Sequence, residues 1–418
     1  TLTLKFLRIL ANPKKTHEDG TPLYMYYISH RIKLQGIGYS KRYFENGISV
    51  DIERIEFMNY REKLRERLSG MLFLQFKEST LKDTFKIDIK KYKDIEEVYV
   101  PVDTKYLSNN IANEEAINNL PITVFLEGMF FSLGADEGFK YNKVYIEIIK
   151  SLTSSKDFIK GIIANSVKDG DLEKAFILVN GLLRFEKDKE IFEKALIICE
   201  AIREKNNSFT EIEEDIVEEY LVYHNDKEGY FYKSLILRDK EEYELSLINL
   251  DEYLNKGGEK TREILEFRQW LESAVNYENG KALVYDDPKK AIQLLSPLVE
   301  EFEDNSLLYY HLAVSYRVLG LNEKAIYYLN DALRIDSAFA EPLNELGLNY
   351  ACLGDYETAI EYFKKVFEVT KSIEICTNIA MCYIKLGKYK EAELHLNIAE
   401  KINPEDEVVK DIKATLKK

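Results

Sequence analysis

Residues 306–339 read SLLYYHLAVSYRVLGLNEKAIYYLNDALRIDSAF, and two variants of this pattern follow directly. Residues 340–372 read AEPLNELGLNYACLGDYETAIEYFKKVFEVTKS, and residues 373–406 read IEICTNIAMCYIKLGKYKEAELHLNIAEKINPED. Self-similarity at such a fixed period is the sequence signature of stacked supersecondary units. The three copies therefore predict an array of repeats.

Each copy divides at a glycine into two helical halves, and a small residue recurs in the second half. The glycines and alanines keep steps of 34 and then 33 residues, at Gly320, Gly354 and Gly387, and at Ala325, Ala359 and Ala392. Small residues let two helices approach closely, while aromatic side chains fill the gaps between successive pairs. A unit of this kind leaves apolar faces on both sides, so it is stable mainly when neighbours flank it. A last helix at 407–416 is predicted to close the stack.

The same repeat pattern extends toward the N-terminus, in a less regular form, to about residue 122. We call its spacing the repeat frame. Gly128, Met129, Tyr145 and Ile148 are predicted to fill its first packing positions. The frame that begins at residue 156 places Gly170 at the turn between its two helices. Further helices are expected at 191–205, 211–224, 230–237, 242–255 and 261–285, and Pro288 suits the first position of another helix.

Residues 1–110 do not follow the repeat. Alternating apolar residues predict strands at 2–6, 23–30, 31–39, 71–76, 84–89 and 98–102. An Asn-Gly turn predicts a hairpin over 43–52, because both central residues of a type I′ turn need positive φ. Helices are expected at 54–68 and 112–119. The predicted division is a small β-rich or α+β domain (1–110), degenerate helical repeats (111–305), three clear units (306–406) and a capping helix (407–418).

The three clear copies resemble the tetratricopeptide repeat. In the second copy the motif positions are occupied by Leu343, Leu346, Gly347, Tyr350, Gly354, Ala359 and Phe363. The resemblance implies a right-handed superhelix of about seven or eight helix pairs, whose concave surface is lined by the first helices and binds segments of other proteins. The predicted fold class is thus α+β overall, mainly an all-α helical solenoid preceded by a small β-rich domain.

The repeat frame also predicts which residues line the concave surface, namely Tyr310, Val314, Arg317, Asn344, Leu348, Asn378, Met381 and Lys385. Family members that clamp a partner's C-terminal carboxylate use paired lysines and asparagines. Here Tyr310 and Val314 occupy the places where a Lys and an Asn would be needed, and Glu374 occupies another basic place. A mixed apolar and polar groove favours an amphipathic or extended partner segment instead.

The net charge of −15 conceals an asymmetry between the two ends of the chain. Residues 1–110 hold 20 Lys and Arg against 15 Asp and Glu, and the remainder holds 38 against 58. An acidic array repels phosphate backbones, so nucleic acid is an unfavourable partner for it. The basic N-terminal part can instead dock on the acidic array or form a patch for an acidic partner. The candidate patch residues are Lys41, Arg42, Arg61 and Arg65.

The sequence offers no catalytic, cofactor or metal motif. Its five histidines are scattered, and the four cysteines form no CxxC pair. Isolated thiols of this kind indicate a reducing compartment, so the cytoplasm is the expected location. The apolar runs fall short of the roughly 18–20 residues that a bilayer crossing needs.

These observations predict a non-enzymatic scaffold or adaptor that binds a protein or peptide partner. Two alternatives stay open at this point. One is a signalling regulator whose repeat array closes on a peptide or small effector, and the other is an enzyme or nucleic-acid binder that uses residues 1–110.

Overall fold

The computed structural model describes residues 60–92, 95–104 and 120–416. The strands expected at 2–39, the hairpin at 43–52 and the short helix at 112–119 lie outside the described residues. The chain is mostly helical (74%), in a helical solenoid with a small two-stranded sheet in the described N-terminal region, which confirms the predicted fold class. It forms two compact units. Unit 1 comprises the residues up to Lys240 together with 248–258, and unit 2 comprises 241–247 together with the residues from Glu259 onward. The four-part domain division stays a prediction.

Unit 1 opens with a helix and the sheet. Helix α1 (Tyr60–Ser69) buries the face formed by Tyr60, Leu64 and Leu68. Strand β1 (Leu72–Phe76) pairs antiparallel with β2 (Val98–Val102), so that Leu72 faces Val102. The short helix α2 (Glu78–Asp83) lies between the two strands in sequence.

The strand predicted at 84–89 is wrong. Phe85, Ile87 and Ile89 alternate and are all buried, which explains the period-2 signal. Lys86 between them has φ of 58°, and the Ile87 N–H donates to the Leu81 carbonyl at 2.9 Å. The segment therefore folds back on α2 in place of pairing with another strand.

The other helices in the described part of unit 1 pack against one another. They are α3 (Ile122–Ala135), α4 (Asn142–Lys150), α5 (Ser155–Asp169), α6 (Leu172–Leu183), α7 (Lys189–Arg203), α8 (Thr210–Tyr223) and α9 (Lys227–Asp239). Helix α10 (Tyr243–Asn255) contributes residues to both units. The packing residues predicted at Gly128, Met129, Tyr145 and Ile148 are all buried.

Helices α3 and α6 approach each other closely, and their contact depends on two glycines. A Cβ added at Gly134 would lie 1.8 Å from the Ile177 carbonyl oxygen, and one added at Gly181 would lie 2.0 Å from the Phe130 carbonyl oxygen. Asn180 Nδ2 donates to the Gly134 carbonyl at 2.9 Å across the same contact. The two backbones therefore touch directly.

A buried group of charges joins α7, α8 and α9. Arg203 Nε donates to Glu213 Oε2 at 2.5 Å, and Arg203 also pairs with Asp239. The Arg203 and Glu213 side chains are only 3% and 0% exposed. Burial raises the pKa of Glu213 to about 7, against the opposing charge of Arg203. Because removal of one partner would leave an uncompensated buried charge, this group fixes how the three helices pack.

Unit 2 contains the three repeats of residues 306–406. Its helices are α11 (Arg262–Ala282), α12 (Pro288–Leu295), α13 (Ser306–Val318), α14 (Asn322–Ile335), α15 (Glu341–Cys352), α16 (Tyr356–Thr370), α17 (Ile373–Lys385), α18 (Tyr389–Ile402) and α19 (Glu407–Leu416). Pro288 occupies the start of α12, as predicted.

The three repeats share one turn geometry. Gly320, Gly354 and Gly387 have φ of 73°, 84° and 71°, the left-handed conformation that glycine adopts without strain. In each repeat the N–H after the glycine donates at 2.9 Å to the carbonyl of a tyrosine five residues earlier. The same tyrosines stack on an aromatic ring of the second helix, in the pairs Tyr316–Tyr328, Tyr350–Tyr362 and Tyr383–His395.

The cores of the two units are organised differently. In unit 1 one cluster runs without a break from Tyr60 to Ile236. In unit 2 five smaller clusters lie between successive helix pairs. Unit 2 therefore has the nearest-neighbour organisation of a repeat array.

We predict that Gly181→Ala lowers the free energy of unfolding by about 2 kcal/mol, because the new methyl group would overlap the Phe130 carbonyl oxygen of α3. The matched control is Gly161→Ala in α5, where an added Cβ meets no atom within 4 Å. That control should raise stability by up to about 1 kcal/mol, because alanine favours helix. Urea unfolding followed by circular dichroism checks both, and equal effects of the two variants would contradict the glycine contact.

Candidate functional site

The predicted concave surface belongs to the first helices of the three repeats, α13, α15 and α17. Each of them packs against its own second helix, α14, α16 or α18. Asn305 caps α13 by accepting the Leu308 N–H at 3.1 Å, and Pro342 lies in the first turn of α15. We call the residues at the predicted groove positions of α13, α15 and α17 the first-helix face.

On α13 the three predicted residues have different environments. The Tyr310 ring is partly buried, with its centroid 5.3 Å from that of Phe339. Val314 corrects the prediction, because its side chain is only 1% exposed and belongs to a cluster with Val284 and Ala291. Val314 thus supports the face from beneath.

Arg317 joins two consecutive first helices. Its Nε donates to Glu345 Oε2 on α15 at 2.6 Å, and the Glu345 side chain is 8% exposed. Burial raises the pKa of the Glu345 carboxyl, while the Arg317 charge opposes that rise. This ion pair sets the register of α13 against α15 and leaves little of the Arg317 charge for a partner.

The five predicted residues of α15 and α17 are at least partly accessible. Asn344 and Leu348 are partly buried, and the Asn344 Oδ1 atom is buried without a hydrogen-bond partner in the part of the chain that the structure describes. On α17, Asn378 is partly buried, Met381 is 41% exposed and Lys385 is exposed. The face therefore presents apolar side chains together with amide groups.

Sequence reasoning missed two residues beside this face, Glu345 and His311. Glu345 directly follows a predicted groove position, and only the structure pairs it with Arg317. His311 lies between the rings of Tyr277, at 6.0 Å, and Tyr310, at 5.4 Å. The aromatic run at 309–311 was the one available signal for His311.

In the described half of the candidate basic patch, both arginines form ion pairs with acidic residues of unit 1. Arg61 pairs with Asp215, and Arg65 Nε lies 3.4 Å from Asp136 Oδ1. From the same helix, Lys63 and Arg67 contact Glu173 at 2.5 and 3.2 Å. These pairs confirm, for α1, that the basic N-terminal part docks on the acidic helices. Lys41 and Arg42 lie outside the described residues.

Within the described ranges, His, Cys, Asp and Glu side chains form no group of three that could hold a metal ion. None of the helices there combines the length and the apolarity that crossing a membrane requires.

Family models for the tetratricopeptide repeat match residues 307–339 and 353–416. These residues are the helix pairs α13–α14 and, from the end of α15, α16 to α19. These parts of the chain are therefore tetratricopeptide repeats. The match confirms the resemblance carried by the three copies.

The relatives it matches include a TPR repeat-containing protein of Methanocaldococcus jannaschii, 24% identical over 57% of this chain and 44% of that protein. Another is the BBSome complex member BBS4 of Bos taurus, 30% identical over 30% of this chain and 24% of that protein. The chain thus spans less than half the length of these curated relatives. A solved structure of the C-terminal part of a TPR repeat-containing protein from Cytophaga hutchinsonii has a TM-score of 0.38, with 14% identity over 60% of this chain and 97% of that chain.

The tetratricopeptide-repeat fold supports, in general terms, a scaffold for protein–protein interaction. Proteins of this class are generally non-enzymatic. Fold alone does not identify the partner, so any finer assignment has to come from the side chains of the first-helix face.

We predict that His311 makes unit 2 sensitive to acid. Burial, helped by the charge of Lys281, lowers the pKa of His311 from 6.5 to about 4. The unfolded chain then binds a proton more readily, so the stability contributed by neutral His311 is present above pH 6.5 and is lost as the pH falls toward 4. His311→Phe should flatten the fall in unfolding free energy between pH 7 and 4.5.

The control for this prediction is Tyr310→Phe, which changes the adjacent ring without removing a group that titrates in this range. Urea unfolding at several pH values distinguishes the variants. A pH slope that is the same in His311→Phe and in the unmodified protein would contradict the assignment.

Proposed function

We propose that the first-helix face binds an extended or amphipathic segment of a partner protein, and that the chain is a non-enzymatic cytoplasmic scaffold or adaptor. The observation that supports this most is the row of apolar side chains contributed by three consecutive first helices. Tyr310 and Leu348 are partly accessible, and Met381 is 41% exposed although it lies in the middle of α17. An apolar row rimmed by polar groups is typical of a surface that binds a protein.

The polar atoms of the face fit the backbone of such a segment. Asn344 is partly accessible on α15, and its side-chain amide can both donate and accept. Asn378 lies beside Met381 on the next first helix and can both donate and accept. An extended backbone has N–H and C=O groups along its whole length, so it can satisfy both amides while its side chains contact the apolar row.

The rigidity of the face supports the same reading. Arg317 and Glu345 join α13 to α15, and Val314 is buried beneath the surface. A surface whose side chains are already held in place loses little entropy when a segment docks.

The test compares two matched pairs of substitutions in the full chain. Leu348→Glu with Met381→Glu places charge in the apolar row. Tyr327→Glu with Leu394→Glu places the same charge on the second helices, where these side chains are 64% and 60% exposed. Each protein is immobilised and incubated with native cytosol, and the captured proteins are quantified by mass spectrometry.

We expect the first pair to reduce recovery of the main captured protein at least about tenfold, because a charge would be buried against apolar surface without a counter-ion. The second pair should leave recovery unchanged. Equal recovery with the unmodified protein and both substituted proteins, or loss only with the second-helix pair, would contradict the proposed function.

A further inference from the structure

Two carboxylates lie at equivalent places beside the first-helix face, at the N-terminal ends of α15 and α17. Glu341 lies in the first turn of α15, and Glu374 lies in the first turn of α17, 33 residues later. Both side chains are exposed, and no ion pair within the described residues involves either of them. Consecutive first helices run in the same direction, so the two carboxylates lie along one edge of the face.

The cations of the face lie at the opposite ends of these helices. Arg317 is in the last turn of α13, and Lys385 is in the last turn of α17. Arg317 is already compensated by Glu345, at 2.6 Å. The face is therefore acidic along the N-terminal edge of α15 and α17, and Lys385, which forms no ion pair within the described residues, lies at the other edge.

This distribution selects the charge of a partner. A carboxylate that approached the acidic edge would meet two like charges, each already favoured by the positive end of its helix dipole. An ammonium or guanidinium group would form an ion pair with either. Unit 2 as a whole is acidic, which adds long-range attraction for a cationic segment.

We propose that the segment bound by the first-helix face is basic, with two Lys or Arg side chains that pair with Glu341 and Glu374. An apolar side chain between them packs on Leu348 and Met381. This inference rests on the proposed function and names the class of partner. It does not follow from the fold, since a repeat of the same architecture can carry any side chain at these positions.

The geometry also sets a spacing for the two cations. We infer a separation of about 8–10 Å for Glu341 and Glu374 from the usual distance between neighbouring helix axes. In a polyproline II segment, residues i and i+3 lie on one side and about 9 Å apart. The motif expected in the partner is therefore basic-x-x-basic, with an apolar residue between the two cations.

The first experiment selects ligands without assuming their sequence. A displayed library of random 12-residue peptides is panned against the full chain, and each enriched peptide is then tested on Leu348→Glu with Met381→Glu. We expect the peptides that this variant fails to bind to be enriched in the basic-x-x-basic motif. Enrichment of acidic or neutral peptides, or of basic peptides without that spacing, would overturn the inference.

The second experiment measures the dissociation constant of the most enriched peptide by fluorescence anisotropy. Glu341→Gln with Glu374→Gln should weaken binding about tenfold at low salt and reduce its dependence on salt. The matched control is Glu361→Gln with Glu393→Gln, two exposed carboxylates on the second helices α16 and α18, which should change the constant less than about twofold.

The outcomes separate the two proposals. Peptides that need Leu348 and Met381 but bind equally well to Glu341→Gln with Glu374→Gln would overturn the charge inference and leave the proposed function standing. Peptides indifferent to both pairs of substitutions would overturn both.

Discussion

The fold depends on how closely two helices can approach, and small side chains set that distance. In each repeat the alanine of the second helix, Ala325, Ala359 or Ala392, is fully buried against the first helix. In unit 1 the same constraint is taken to its limit at Gly134 and Gly181, where two backbones touch. Larger side chains at these positions would push the helices apart and remove the packing of every ring that fills the adjacent gaps.

Close approach at a fixed period also explains why the first helices present equivalent positions to one surface. Because each first helix is held against its own second helix in the same way, equivalent positions of α13, α15 and α17 fall on a common surface. Leu348 and Met381 occupy equivalent positions in this way, and the equivalent residue of α13 is the buried Val314. The carboxylates of Glu341 and Glu374 align for the same reason.

The two units differ in what stabilises them. Unit 1 has one continuous core, the buried Arg203–Glu213 pair and the ion pairs that dock α1. Unit 2 is stabilised by separate clusters, each belonging to one junction between helices. In such an array a terminal pair can open without disrupting the others, so stability is distributed unevenly along the chain.

The periodic part of this structure could be read from the sequence because its signal is repeated. The glycine turns, the buried alanines and the helix pairs from residue 122 onward follow from spacing alone. The prediction of a strand at 84–89 is wrong, because the alternation of Phe85, Ile87 and Ile89 reflects burial, whereas the backbone reverses at Lys86. Alternation alone does not distinguish a paired strand from a buried loop.

The candidate site was less predictable, because it depends on contacts between repeats. Val314 occupies a groove position by spacing but is covered by the cluster that includes Val284 and Ala291. The sequence predicts Arg317 as a groove residue, whereas the structure pairs its charge with Glu345 on the next first helix. Likewise, the charges of Arg61 and Arg65 read as a patch, yet the acidic residues that neutralise them lie 154 and 71 positions away. Pairwise contacts over such separations are not encoded in local pattern.

The most direct test of the proposed binding face is site-specific photo-crosslinking in native cytosol. A photoreactive amino acid replaces Met381 on the first helix α17 in one protein and Leu394 on the second helix α18 in another. The account predicts that the probe at position 381 forms a covalent adduct with a discrete partner protein and that the probe at 394 does not. An adduct from position 394 alone, or the same adduct from both positions, would contradict it.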